Sequence, residues 1–424
     1  MQALRIRLPG NFYDSQIYDK NLYLWCIDGS IRTLNWGKLI EKIQIQIDET
    51  LQPILQIVLE DGKDLYQNRL IKHTGINRLT NSEIGRLSQY HINLTERDIE
   101  NCQRDRQDNR FPFPHSDIVV HEKDFYVASQ EGISVTTAQG GLKEKFRPKK
   151  ISDIPSFSID ISQYRLAIAS GDRGLFYHWL KSNSKNEPDL LSREECNLTR
   201  WMYPNIFMSS YTSLGSLAQF EKLKKEEQEE KNDVKLGRKI LSSESPQDSK
   251  LTALEPSVAV SKKDSGNDDI RFLRTVSSEE IFKTPALELE QKKRSKIQFV
   301  WGVQDKIYWA REKAIEVISY KYSGVSEQLG TIKIENLTDE IISADSSFFG
   351  VVLEMDTGLL VIDSCLQSHF IVNEPVNWRV FPRSKNYINH LHVIYDDYMD
   401  IYVFTHDYFV NQESKQLGIR FSAS

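Results

Sequence analysis

Cysteine is scarce in this chain, and long apolar runs are missing altogether. Cys26, Cys102, Cys196 and Cys365 are the only four cysteines in 424 residues, and no two stand at a C-x-x-C spacing. A disulfide-built secreted domain usually carries more, and a structural zinc site needs closely spaced ligand pairs. The thiols therefore read as free, buried groups of a reducing compartment. No run of roughly 18 apolar residues occurs, so no membrane span is expected. The N-terminal MQALRIRLPG lacks the apolar core of a signal peptide. The Asn-Leu-Thr tripeptides at Asn93, Asn197 and Asn336 then read as chance, not as glycan acceptors. Together these signs place the chain inside the cell, in the cytoplasm. A basic excess is also lacking. Lys and Arg number 54 against 60 Asp and Glu, giving a net charge of −6, which disfavours nucleic acid as a partner. Hydrophobic residues reach only 39%, so part of the chain is expected to stay outside the core.

What is present is a repeated strand–turn–strand unit. In Asn21–Trp36, Leu22, Leu24 and Cys26 alternate with Tyr23 and Trp25, and Asp28-Gly29 makes the turn. The pattern returns at Asp117–Thr137, Phe157–Leu180, Trp201–Phe220, Ile297–Tyr320, Asp339–Ser364 and Ile388–Asn411. Turn residues Gly132, Gly174 and Gly215 follow at intervals of 42 and 41, and Lys313, Gly358 and Asp407 at 45 and 49. A period of roughly 40–50 residues with several strands in each is the spacing of propeller blades. Two intervals are long: 103 from Gly29 to Gly132 and 98 from Gly215 to Lys313. Each holds one blade plus an insertion, which makes seven units. Ala3–Leu8 is expected to close the ring against the last unit, because a circular sheet must seal its seam.

Phe157–Leu180 resembles a WD40-type blade. Ser158–Ser162 matches the inner-strand S-x-D-x-S segment, Leu166–Ser170 the second strand, Gly171–Gly174 the turn, and Tyr177-His178-Trp179 the end of the third. The Gly-His and Trp-Asp dipeptides of such repeats are missing, and the other units match in outline. The resemblance is to the fold and implies a platform for protein partners.

The expected organisation is therefore a mostly-β seven-bladed propeller with two insertions. Residues 1–47 carry blade one and the closing strand, and 48–114 a partly helical insertion. Residues 115–220 carry blades two to four. Residues 221–296 form a charged insertion, which is expected to be disordered because its composition cannot bury enough surface to offset ordering entropy. Residues 297–424 carry blades five to seven. Within the second insertion, Ile270–Leu289 gathers apolar residues around Ser277 and Ser278, as would a segment that docks on a partner or on its own ring. Phosphate on those serines is a further option.

Chemistry-bearing clusters are few. His390 and His392 lie two apart, on one face of a strand, and His406 could add a third metal ligand from the next strand. Asp396 and Asp397 read as the hairpin loop between the two strands. His115, Asp117, His121 and Glu122 form a polar knot whose spacing fits no metal or nucleophile motif, and His178 between Tyr177 and Trp179 reads as structural. No nucleophile elbow, P-loop or H-E-x-x-H occurs, so no cofactor is expected. Aromatics near expected loops, namely Trp201, Tyr203 and Trp378, with Phe272 and Phe282 of the second insertion, are the candidate interface anchors.

The reading that follows is a non-catalytic protein–protein interaction scaffold or subunit of a multiprotein complex, with no membrane association. One alternative is a hydrolase or lyase using His390, His392 and His406 at the central mouth. Another is a nucleic-acid accessory protein using Arg147, Lys149 and Lys150, or Lys292, Lys293 and Arg294.

Overall fold

The computed structural model describes residues 3–60, 74–138, 147–181, 187–202, 204–210, 215–222, 270–281, 297–311, 313–320, 326–334, 339–363 and 366–404. Seven sheets, antiparallel but for one added strand in the last, follow one another around a ring. Strand β1 (Ala3–Pro9) comes first. Blade one holds β2 (Phe12–Tyr18), β3 (Asn21–Cys26), β4 (Ser30–Asn35) and, after β5 (His91–Asn93), β6 (Gln103–Asp108). Blade two runs β7 (Asp117–His121), β8 (Asp124–Ser129), β9 (Gly132–Thr137) and β10 (Lys149–Ser152). Blade three runs β11 (Ser158–Ser162), β12 (Arg165–Ala169), β13 (Leu175–Trp179) and β14 (Asp189–Ser192). Blade four runs β15 (Leu198–Met202), β16 (Asn205–Ser209), β17 (Ser216–Lys222) and β18 (Ile270–Ser277). Blade five runs β19 (Ile297–Val303), β20 (Lys306–Arg311), β21 (Ala314–Tyr320) and β22 (Ser326–Lys333). Blade six runs β23 (Ile341–Ser347), β24 (Gly350–Met355), β25 (Gly358–Asp363) and β26 (Ser368–Val372). Blade seven takes β27 (Asn377–Val380), β28 (His390–Ile394) and β29 (Tyr398–Phe404) from the C-terminal side.

Its fourth strand is β1, paired antiparallel with β29 from Ala3↔Phe404 to Pro9↔Tyr398. The expected closing strand is thus in place, and the ring has no open seam. Arg7 locks the register: its Nε and Nη2 donate to the two carboxylate oxygens of Asp400 at 2.8 and 2.9 Å, and its guanidinium lies 3.7 Å from the Tyr398 ring centre.

The hydrophobic core is divided between blades. Tyr23, Trp25 and Ile31 of blade one meet Phe125 and Val127 of blade two in one cluster. Trp301 and Tyr308 of blade five meet Val351 and Leu353 of blade six in another. Each sheet buries one face on each neighbour, which is why strands such as Asn21–Cys26 are buried throughout. The hairpin glycines are fixed by the same packing. Gly132 has φ 114°, and a Cβ there would sit 2.1 Å from the Ser152 carbonyl of its blade's outer strand; Gly174 has φ 93° and would meet Ser192 at 2.0 Å. Only glycine meets both demands.

Both insertions interrupt a blade between its third and fourth strands. After β4, Asn35 caps α1 (Trp36–Gln44), its side chain accepting from the Lys38 amide. Trp36 is fully buried and donates from Nε1 to the Leu59 carbonyl at the end of α2 (Gln52–Glu60). Then come α3 (Thr74–Leu87), β5, and α4 (Glu96–Cys102), the last capped by a box of Thr95 and Asp98. Strand β5 lies parallel to β1, from Arg5↔His91 to Arg7↔Asn93, so the insertion braces the seam of the ring.

Two sequence boundaries shift. The helical insertion begins at Trp36, not at Asp48. It ends at Cys102, because β6 returns as the fourth strand of blade one. That strand reads QRDRQD and alternates between half-buried and exposed, so it carries no apolar signal. The charged insertion likewise gives up its apolar island. Ile270–Ser277 forms the outer strand of blade four, with Phe272 against Phe220 at 5.6 Å between ring centres, and α5 (Ser278–Ile281) follows. Residues 223–269, and 282–296 with Lys292, Lys293 and Arg294, lie outside the described residues.

Candidate functional site

The first strand of each blade lines the central channel, and there the charged residues collect. Asp14, Asp117, Asp160 and Asp345 stand on first strands, and each accepts a hydrogen bond from the backbone N–H of the next residue through Oδ1. Asn377 does the same in blade seven. The second polar atom of several of these side chains reaches the following blade. Asp117 Oδ2 accepts from the Ile159 amide at 3.1 Å and Asp160 Oδ2 from the Trp201 amide at 2.7 Å. Asp14 Oδ2 meets His115 Nε2 at 3.0 Å, and Asn377 Nδ2 donates to the Tyr13 carbonyl at 3.1 Å. In four of the seven blades one short polar side chain thus ties its own strand to its neighbour.

Three arginines neutralise the carboxylates. Arg379 on β27 donates from Nε and Nη2 to the two oxygens of Asp14, at 2.9 and 2.6 Å, and lies 3.5 Å from Asp117. Arg200 on β15 lies 3.6 Å from Asp345 and donates to Ser158. Arg383, in the loop between β27 and β28, reaches Asp160 of blade three with both terminal nitrogens at 2.6 Å. It also donates to the carbonyls of Ile161 and Trp201. The loop of blade seven thus sends a cation across to the opposite side of the ring.

Burial alone would disfavour the Asp14 carboxylate, but Arg379 and His115 outweigh it and hold the carboxyl well below its usual range. Asp345 goes the other way: burial outweighs Arg200 and raises its pKa.

The C-terminal histidines face the same side of β28, as their spacing requires, with ring centres 6.0 Å apart. Both are fully buried. His390 packs against Trp36 and Tyr387, and neither ring nitrogen meets a hydrogen-bond partner among the described residues. Burial pushes its pKa down to about 3. His392 Nδ1 lies 2.9 Å from Ser15 Oγ, and burial, with His390 next to it, pushes its pKa well below the usual value. His406 lies outside the described residues, and no group of three metal-ligating side chains occurs among the described residues.

The polar knot near blade two does not converge. His115 turns to Asp14, Asp117 to blade three, and His121 packs edge-on to Tyr164, whose hydroxyl donates to Glu122. Trp201 is 2% exposed and packs with Tyr177 and Phe220 between blades three and four, so it serves the core and has no surface to offer a partner. Trp378 is half-buried and donates to Glu354; Phe272 is half-buried on Phe220. Tyr203 and Phe282 lie outside the described residues. Arg379, Arg383 and Arg200 carry the channel and escape a motif search, because no local spacing relates them. The visible trace was Asp117, Asp160 and Asp345 near the start of three units, of which only Asp160 stands in a recognisable segment.

No family model matches the chain, and no curated protein matches it. Among solved structures it is similar to the computationally designed Ika8 protein, at 8% identity over 95% of this chain and 100% of the other, with a TM-score of 0.44. It is also similar to Raptor of Chaetomium thermophilum, at 10% identity over 94% of this chain and 29% of the other, with a TM-score of 0.48. The Pan2 WD40 domain of Neurospora crassa is similar at 7% identity, over 95% of each chain, with a TM-score of 0.44. No helix among the described residues is long and apolar enough to cross a membrane. The strand pairing of the chain itself makes it a seven-bladed β-propeller.

Proposed function

We propose that the protein is a non-catalytic interaction scaffold, a rigid ring that holds a protein partner within a larger assembly. The observation that carries this reading is the channel. Its charged side chains are engaged with one another: Arg379 on Asp14 and Arg383 on Asp160 through paired hydrogen bonds, and Arg200 on Asp345 as an ion pair at 3.6 Å. Such networks fix the blades relative to each other and keep the surface loops at set positions. Both insertions leave from connections between third and fourth strands. In an antiparallel blade these connections fall at one end of the ring, so the hairpins and inter-blade loops at the other end stay clear of them.

The reading is tested by affinity capture with the intact chain and with residues 223–269 deleted, a cut that spares β18. Retention of the same protein near equal stoichiometry in repeated captures is the expected result. A chain that elutes alone in both forms would remove the proposal.

A further inference from the structure

Several exposed large apolar side chains stand at the clear end of the ring. Ile27 lies in a hairpin of blade one, Phe113 and Phe157 in the loops entering blades two and three, Ile342 at the start of β23, and Val376 before β27. Phe113 and Phe157 are each 45% exposed and Val376 is 46% exposed. Single exposed apolar residues are ordinary; an arc of them is not. Val376, Phe113 and Phe157 are joined by a chain of contacts through Tyr13. Asn377, next to Val376, donates to the Tyr13 carbonyl, and the Tyr13 ring meets Phe113 edge-on at 5.1 Å. The Tyr13 hydroxyl donates to the His115 carbonyl at 2.9 Å, and Ser116 donates to the Ser156 carbonyl beside Phe157. The arc crosses blades seven, one, two and three over the seam of the ring.

Its border is acidic. Glu374, Asp396 and Asp397 are exposed beside Val376 and make no ion pair among the described residues. Farther along, Asp172, Glu194 and Glu195 are exposed in the turns of blade three, where Arg173 and Arg193 also stand. Arg106 is already engaged by Asp28, and Lys150 by Asp153. An apolar arc with carboxylates around it fits a segment that brings cations at its edges and an apolar anchor at its centre.

We propose that this arc docks a positively charged peptide segment of a protein partner, which seats an aromatic or aliphatic side chain among Val376, Tyr13 and Phe113. The proposal rests on the scaffold reading and narrows it to one face and one chemistry.

The test is selection of random dodecapeptides, displayed on phage, against the full chain, followed by affinity measurement on the synthetic winners. Selected peptides should carry net positive charge and at least one aromatic or aliphatic residue, and should bind more weakly as salt rises. Phe113→Ser, a change at an exposed side chain, should weaken them by about tenfold or more, the loss of one anchor. Glu374→Lys with Asp396→Lys should do the same without touching the apolar arc. Phe370→Ser on the outer strand of blade six should leave affinity unchanged. Neutral or acidic winners, winners indifferent to both the Phe113 and the charge variants, or no enrichment would each overturn the proposal. A dimer of the chain dissolved by Phe113→Ser would overturn it in favour of a second copy as occupant. Winners sensitive only to Phe370→Ser would defeat this face and leave the scaffold reading standing; the scaffold reading itself falls only with the capture experiment.

Discussion

Arg383 and Asp160 are 223 residues apart in the chain, yet they form a two-pronged ion pair at 2.6 Å across the ring. Asp160 is nearly buried, and it also accepts from the Ile161 and Trp201 amides. Removing Arg383 leaves a carboxylate that keeps its backbone donors and loses its cation. Arg383→Ala should destabilise the fold by about 1–2 kcal/mol, the range for hydrogen bonds to charged groups discounted for the exposure of the guanidinium. A double-mutant cycle with Asp160→Asn, read by denaturant unfolding, should give a coupling above about 0.5 kcal/mol. Strict additivity would mean that the two side chains share no energy.

Arg379 is the stronger case. It is less exposed than Arg383, and its partner Asp14 is 2% exposed. Arg379→Ala strands that carboxylate, and breaking a buried pair from one side costs about 3–5 kcal/mol. Arg379→Lys should recover only part of the loss, because an ammonium cannot engage both oxygens in the same plane. Equal stability of the Lys variant and the parent would contradict the two-pronged geometry.

His390 makes the fold sensitive to acid. Its pKa is about 3 when folded, against an ordinary value near 6.5 when unfolded. Above pH ~6.5 both states are neutral at this residue, and it adds no pH dependence. As the pH falls from ~6.5 towards 3, the unfolded chain gains a proton that the folded chain refuses, so stability drops. Asp14 acts lower: its carboxyl is depressed on folding, so its stabilising share is complete above pH ~4 and fades below it. His390→Leu should flatten the stability profile between pH 6 and 4.5 by up to about 1.4 kcal/mol per pH unit. An unchanged slope in thermal melts over that window would show that His390 titrates normally.

The hairpin glycines should differ among themselves. Gly29 has φ 79° with open space where a Cβ would go, whereas Gly174 has φ 93° and a carbonyl 2.0 Å from that point. Gly29→Ala should cost about 1–2 kcal/mol, the strain of the left-handed region alone. Gly174→Ala must also push back the outer strand, and should cost clearly more. Melting curves that rank the two equally would mean that the outer strand yields freely.

Strand β1 should be needed for a monodisperse ring. It covers β29 along seven paired positions, and its own Leu4, Ile6 and Leu8 are fully buried. Ile6→Ala should cost about 2–5 kcal/mol. Deletion of Ala3–Pro9 should leave a bare edge that associates with other copies, visible as high-mass species in size-exclusion chromatography.

The sequence by itself determined the ring. Alternation in Asn21–Cys26, glycine turns such as Gly132 and Gly174, and their near-constant spacing are local signals. They dictate strand, hairpin and period without help from distant residues. The closing role of Ala3–Leu8 followed from the same logic. Outer strands were harder to see: Gln103–Asp108 buries no side chain fully and so carries no apolar alternation, and the apolar residues of Ile270–Ser277 stand in a charged stretch far from the rest of their blade.

Only the tertiary structure decided which side chains meet in the channel. Asp14, Asp117, Asp160 and Asp345 find Arg379, Arg383 and Arg200 because the ring folds distant first strands around one axis. It also decided that Trp201 is core and that His390 is sealed from water. Burial and ion pairing are properties of the closed circle, set by which blades become neighbours, and no stretch of sequence carries that on its own.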